Sequence, residues 1–166
     1  KKKGKKEKIA NLDDAAIKDF SDDRKDDIAE VKRDYQQQLN ALDEALAKRR
    51  IAQEQYNTFV LALKEKQAHQ LLSIEQNYQE RASSMVLKDG KKKAELVKGQ
   101  NDNVNAAEQQ HFNAMLAISK QYNDALKTLQ DQGMTDEQRR EADHALQLSS
   151  LDAFYKARLE QARPYG

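Results

Sequence analysis

The sequence predicts an all-α protein of long amphipathic helices, elongated and packed as coiled coils or helical hairpins. Three observations lead there. Apolar residues recur in steps of three and four along most of the chain, which places them on one face of a helix. The 166 residues include one Pro and five Gly, so few positions interrupt a helix. Hydrophobic residues make up 38% and charged residues 34%. That is too little apolar side chain for a thick core, and enough for narrow seams between helices.

Residues 1–8, KKKGKKEK, read as a basic, solvated linker, because no aromatic or Arg accompanies the lysines. A long helical segment is expected over residues 9–87. It opens with Ile9, Leu12, Ala16 and Phe20. Ser21-Asp22-Asp23 suits either a new helix start or an exposed turn of a continuing helix, so a break near residue 21 is left open. Ile28, Val31, Tyr35, Leu39, Leu42 and Leu46 form a heptad-like stripe, and Lys48-Arg49-Arg50 interrupts it, which puts a second possible break at 48–51. Tyr56, Val60, Leu63, Leu71, Ile74, Tyr78 and Met85 resume the stripe. The step of eight from Leu63 to Leu71 skips Gln67 and marks a local change of supercoil.

Residues 88–93, Lys-Asp-Gly-Lys-Lys-Lys, are the expected central break, with Gly90 supplying a helix stop. A helix follows over 94–130. Val97, Val104, His111, Ile118 and Ala125 repeat every seven residues, and Asn101, Glu108, Met115, Tyr122 and Leu129 interleave four residues later. Asn101, Glu108 and His111 are thus polar seam positions, a device that sets register. Residues 131–135 are read as a turn around Gly133, with a capping box at Thr135 and Gln138. The last helix is expected over 136–163, carrying Ala145, Leu148, Leu151, Tyr155, Leu159 and Ala162 and ending at Pro164.

Two longer regularities run across these elements. An aliphatic residue, a Tyr four later and an apolar residue four later again recur at Val31/Tyr35/Leu39, Ile74/Tyr78/Ala82, Ile118/Tyr122/Leu126 and Leu151/Tyr155/Leu159. Tyr56, Tyr78, Tyr122 and Tyr155 are spaced by 22, 44 and 33 residues, all multiples of eleven. Eleven residues are close to three helical turns, so the rings fall on one nearly straight stripe. Tyr filling ordinary seam positions gives the same spacing by chance as readily.

The charge pattern and the residue inventory bound the chemistry. The net charge is +1, with 29 basic and 28 acidic residues interspersed, as a solvated helix surface requires. Lys88–Lys98 is basic but diluted by Asp89 and Glu95, so no specific nucleic-acid partner is expected. No run approaches the roughly 20 apolar residues that span a bilayer, so no stable membrane insertion is expected. There is no Cys, which removes disulfides and thiolate metal sites.

Glu108–His111 and Glu141–His144 are the sharpest candidates for metal chemistry, since a Glu-x-x-His pair projects both ligands from one helix. With Gly133 as a hairpin tip, His111 lies 22 residues from the tip and His144 lies 11. Their heights then differ by roughly 16 Å, too far for one binuclear site. A seam His and a surface His are the simpler reading. His69 has no HExxH context, and no phosphate-binding Gly-rich loop or Ser/His/Asp signature is present. Catalytic, cofactor-binding and metal-ligating residues are therefore all assigned as none, and no enzyme activity is expected.

Leu42-Asp43-Glu44-Ala45-Leu46 followed by Ile51-Ala52-Gln53-Glu54-Gln55-Tyr56-Asn57 resembles the helical middle region of tail tape-measure proteins of long-tailed bacteriophages. Leu129 followed by Gly133-Met134-Thr135-Asp136-Glu137-Gln138 is similar to the same pattern of helix, short basic or Gly break, and helix restart. The first copy departs from it, with Arg50 where Gly is common and Ala52 where a capping Ser or Thr is common. The resemblance touches about half the chain through short motifs. It implies a non-enzymatic structural protein that self-associates as a homo-oligomer inside the tail. Tail tube and tail tip proteins would be its partners, and it would pass through the host cytoplasm during assembly. A helix suits that work because its rise per residue is fixed, so residue number becomes length. A cytosolic coiled-coil scaffold or adaptor is the first alternative, a helical-bundle metal-binding protein the second and an amphipathic membrane-active segment a weaker third.

Overall fold

The computed structural model describes the backbone of residues 2–131, 137–138, 140–145, 148 and 152, and side chains from Leu12 to Gln130 and at the residues described beyond 136. The fold is all-α. Three long helices run in order, α1 (Lys2–Ala47), α2 (Gln53–Ser84) and α3 (Gly90–Asp131), with further helical residues between 137 and 152. No strand is present among the described residues.

Two compact units divide the chain. The first joins Lys1–Arg33 to His69–Gln110, and the second joins Asp34–Ala68 to His111–Gly166. Long helices pack side by side within each. In the first unit, Asp13, Asp23 and Arg24 of α1 meet the stretch following α2, Arg81 and Glu75 respectively, so α1 and α2 are antiparallel there. In the second, Gln38 meets Lys66 and Asp43 meets Tyr56, in the same sense. The apolar core of the first unit is small. Phe20, Tyr78 and Ala82 are buried, and Ile74, Met85, Leu96 and Val97 pack around them. Ala62, Leu63 and Ala68 are the buried apolar residues that α2 gives the second unit.

Several expectations change. The lysine-rich stretch 2–8 lies within α1 and is no linker, because Lys and Glu are good helix formers whose side chains need no packing. The helix runs unbroken through Ser21, so Asp22 and Asp23 are exposed positions of a continuous turn. The break at 48–51 is present and extends to Ala52. The central break lies earlier than expected, at 85–89, and Gly90 begins α3 where it was expected to stop α2. The reason is Asp89, whose Oδ1 accepts the N–H groups of Lys91 at 2.9 Å and Lys92 at 3.3 Å and so caps α3. Asp131, the first residue of the expected 131–135 turn, is instead the last of α3. The rest of that turn, most of the 136–163 helix, including Leu151, Tyr155, Leu159 and Ala162, and Pro164 after it lie outside the described residues.

The α3 seam also shifts. Val97, Val104, His111, Ile118 and Ala125 face inward as expected. Asn101, Glu108 and Met115 are exposed, and the row that completes the seam is Gln100, Asn103, Ala107 and Ala114. A straight helix turns about 20° per heptad away from a seven-residue repeat, so the second row moves from one flank to the other and reaches Tyr122 and Leu129 only further along.

Candidate functional site

The most distinctive feature is a set of polar contacts laid across the helix seams. They occur in both units. In the first, Arg24 of α1 grips Glu75 of α2 with two parallel bonds, Nε to Oε1 at 2.6 Å and Nη2 to Oε2 at 2.7 Å. Gln100 of α3 donates to the Glu75 backbone carbonyl at 2.9 Å, and Asn103 donates to Gln100 at 3.1 Å. Glu75 thus ties three helices together, through its carboxylate to α1 and chiefly through its backbone carbonyl to α3. Two planar bonds to one guanidinium also fix its orientation.

One turn of α2 further on, Tyr78 donates its hydroxyl to Asp27 at 2.5 Å and stands edge-on to Phe20, with ring centroids 5.3 Å apart. The Arg81 guanidinium lies over both rings, at 5.6 Å from Phe20 and 5.5 Å from Tyr78, while bonding Asp23. Burial, then the Asp27 bond, push the Tyr78 phenol up to about 12.

The second unit has its own contacts. Glu65 of α2 is fully buried, with its Oε1 2.9 Å from His111 Nε2 of α3. Its neighbour Lys66, also buried, donates to Gln38 of α1 at 3.0 Å. Tyr56 donates to Asp43 at 2.6 Å, and Tyr122 donates to Asp143 at 2.5 Å. Tyr56 and Tyr78 lie on α2 and Tyr122 on α3, so the eleven-residue spacing does not make one stripe on one helix, but each of the three ends on an aspartate of another segment. A Tyr in a seam places an apolar ring inside and needs an acceptor at the rim.

Asp13 is the least expected member. Leu12 is 67% exposed while Asp13 is 3% exposed. Its carboxylate accepts the backbone N–H groups of Lys88 at 3.0 Å and Asp89 at 2.9 Å, in the non-helical turn between α2 and α3. Lys93 closes the other side by donating to the Ser83 and Met85 carbonyls at the end of α2. The Lys88 and then the Asp89 N–H bonds hold the Asp13 carboxyl below its ordinary value of 3.8. A depressed folded-state value means that this contribution to stability is present above the unfolded value and is lost as pH falls through the folded one. Wild-type denaturant midpoints should therefore drop below about pH 4. Asp13→Asn, with one amide nitrogen facing a backbone donor, should be weaker at pH 7 and should show less of that acid loss. Parallel acid slopes for the two proteins would rule Asp13 out as a source of it.

His111 is brought to Glu65, not to a second Glu-x-x-His motif. Glu108 is exposed, as are Glu141 and His144. Among the described residues no three His, Asp or Glu side chains gather closely enough to hold a metal ion. Among the same residues no helix is long and apolar enough to cross a membrane. The sequence reading missed Glu65 and Lys66. The one signal for them was the gap in the apolar stripe between Leu63 and Leu71, which is where both fall. Comparison of the chain with protein-family models, with curated proteins and with solved structures gives no match.

Proposed function

We propose that the chain is a non-enzymatic structural segment of the tape-measure protein of a long-tailed bacteriophage. In this reading several copies lie in the tail lumen, contact tube and tip proteins, and help set tail length. One observation carries it. The stretch with the family-like pattern, Leu42–Asn57, folds as the pattern implies: helix, short basic break, helix restart. Schellman-type bonds end α1, with Arg50 N–H on the Ala45 carbonyl at 2.9 Å and Arg49 N–H on the Leu46 carbonyl at 3.0 Å. Gln55 then accepts the Ala52 N–H at 3.0 Å, serving as half of a capping box at the restart. Tyr56 fastens the restart to Asp43.

The test is tail length. In a phage whose tails carry this chain, in-frame deletion of residues 28–87 removes sixty residues. As extended helix these account for about 90 Å of tail. Tails shortened by that amount support the reading, and tails of unchanged length overturn it. A coiled-coil scaffold or adaptor is the second reading. It is favoured by Phe112, Met115 and Leu116, three large apolar residues exposed together on α3 within the second unit. That reading expects a discrete partner lost on Phe112→Ser and no particle length that follows the deletion.

A further inference from the structure

The two interhelix breaks are held in different ways. The break at 85–89 is stitched by Asp13, Asp89 and Lys93. The break at 48–52 is closed by its own backbone, by the Gln55 side chain on the Ala52 N–H and by the Tyr56–Asp43 bond beside it. Within it Arg49 has φ 56°, the left-handed region that an L side chain rarely adopts. Gly is the usual residue there, and Arg holds the same conformation at a cost of roughly fivefold to thirtyfold in population. Nothing in Lys48-Arg49-Arg50-Ile51-Ala52 opposes a helix. Ala, Lys and Arg are among the best helix formers, Ile is acceptable, and Gly and Pro are absent. The Lys48–Glu44 ion pair spans four residues and suits a continuous helix equally well.

We propose that residues 48–52 are a hinge that exchanges between this turn and α-helix, so that α2 leaves α1 of its own chain and pairs with α1 of a second copy. The occupant of the vacated seam is the same sequence. Asp43–Tyr56 and Gln38–Lys66, like Arg24–Glu75, Asp27–Tyr78 and the Asp13 bonds to the 85–89 turn, join α1 to the chain beyond the hinge, and all of them re-form between copies in the exchanged pair. Exchange therefore sacrifices no seam contact, while the hinge loses its left-handed residue and gains helical hydrogen bonds. Short hinges under strain are a known route to such exchange. The inference rests on the turn alone and is independent of the function proposed above.

The chain has no Cys, so spin labels go only where they are placed. Gln37→Cys and Lys64→Cys are both exposed and both in the second unit. With labelled full-length chain diluted into an excess of unlabelled chain, the intramolecular distance reports the hinge. In the turn form the labels sit on neighbouring helices, whose axes are about 8–10 Å apart. In the helical form they are 27 residues apart on one helix, about 40 Å. The long distance should grow as total protein rises from micromolar to millimolar. Arg49→Gly should reduce it at least about fivefold, because Gly relaxes the turn and penalises the helix. Arg49→Ala, still disfavoured at positive φ and the best helix former, should increase it. A single short distance at every concentration in all three proteins overturns the proposal. So does a long fraction that ignores both substitutions.

Discussion

Phe20→Ala is expected to destabilise the first unit by about 3–5 kcal/mol, the range for removing a buried aromatic side chain. Phe20 is almost completely buried, and Ile74, Met85, Leu96 and Val97 pack around the cluster it forms with Tyr78 and Ala82. A small core has few neighbours to refill the space. The loss also removes the edge-on ring contact with Tyr78 and one of the two rings beneath Arg81. Set against a total stability of about 5–15 kcal/mol, this single change takes a large share. Urea titration followed by circular dichroism measures it, with the slope checked for constancy so that the midpoint reports stability alone. A shift within about 0.5 kcal/mol, the size of an ordinary surface substitution, would mean that the cluster is no core.

Glu75→Ala should cost about 2–4 kcal/mol, slightly under the usual range for breaking a buried ion pair because the Arg24 side chain is 25% exposed and partly hydrated. The change strands Arg24 and removes one of the two acceptors of Gln100. The informative comparison is Arg24→Met with Glu75→Leu. Replacing both charges by apolar side chains should recover most of the loss, since desolvation of the pair offsets much of its attraction. The cycle of two single variants and the double one isolates the coupling, expected at about 1–3 kcal/mol. Additive single effects would mean that the two residues do not act as a pair. If the pair sets helix register, the double variant should be stable yet populate more than one packing arrangement, visible as broadened or doubled amide resonances.

Much of the fold was legible, because helix and seam follow from local periodicity. The stripe from Ile28 to Leu46 packs as its spacing implies, and the Lys48–Arg50 interruption is a real break. The polar layers were largely illegible. Asp13, Glu65, Lys66, Glu75 and Gln100 are buried, and each looks in the sequence like one more polar residue on a solvated face. Their burial depends on partners 25 to 76 positions away, which no local pattern encodes. Gly90 shows the same limit in miniature. Its backbone freedom suggested a stop, but the neighbouring Asp89 carboxylate turned the position into a start. The α3 seam was half legible: its seven-residue row was clear from Val97 and Val104, and its second row was obscured because Gln100 and Ala107 carry no strong hydrophobic signal.

The reversal between α2 and α3 has a consequence for the order in which the chain acquires its structure. Its turn amides are satisfied by a carboxylate 75 and 76 positions upstream, so the turn cannot be completed locally. Closing a loop of that size demands entropy before any bond repays it, which makes the reversal a late step in a refolding chain. Synthesis from the N-terminus changes the situation. Asp13 has left the ribosome long before Lys88 and Asp89 appear, so α1 can be helical and its acceptor in place when the turn emerges. The fold is then biased by the direction in which it is made, and a circular permutant beginning at Gln53, which makes Lys88 and Asp89 before Asp13, would have to find the same reversal without that head start.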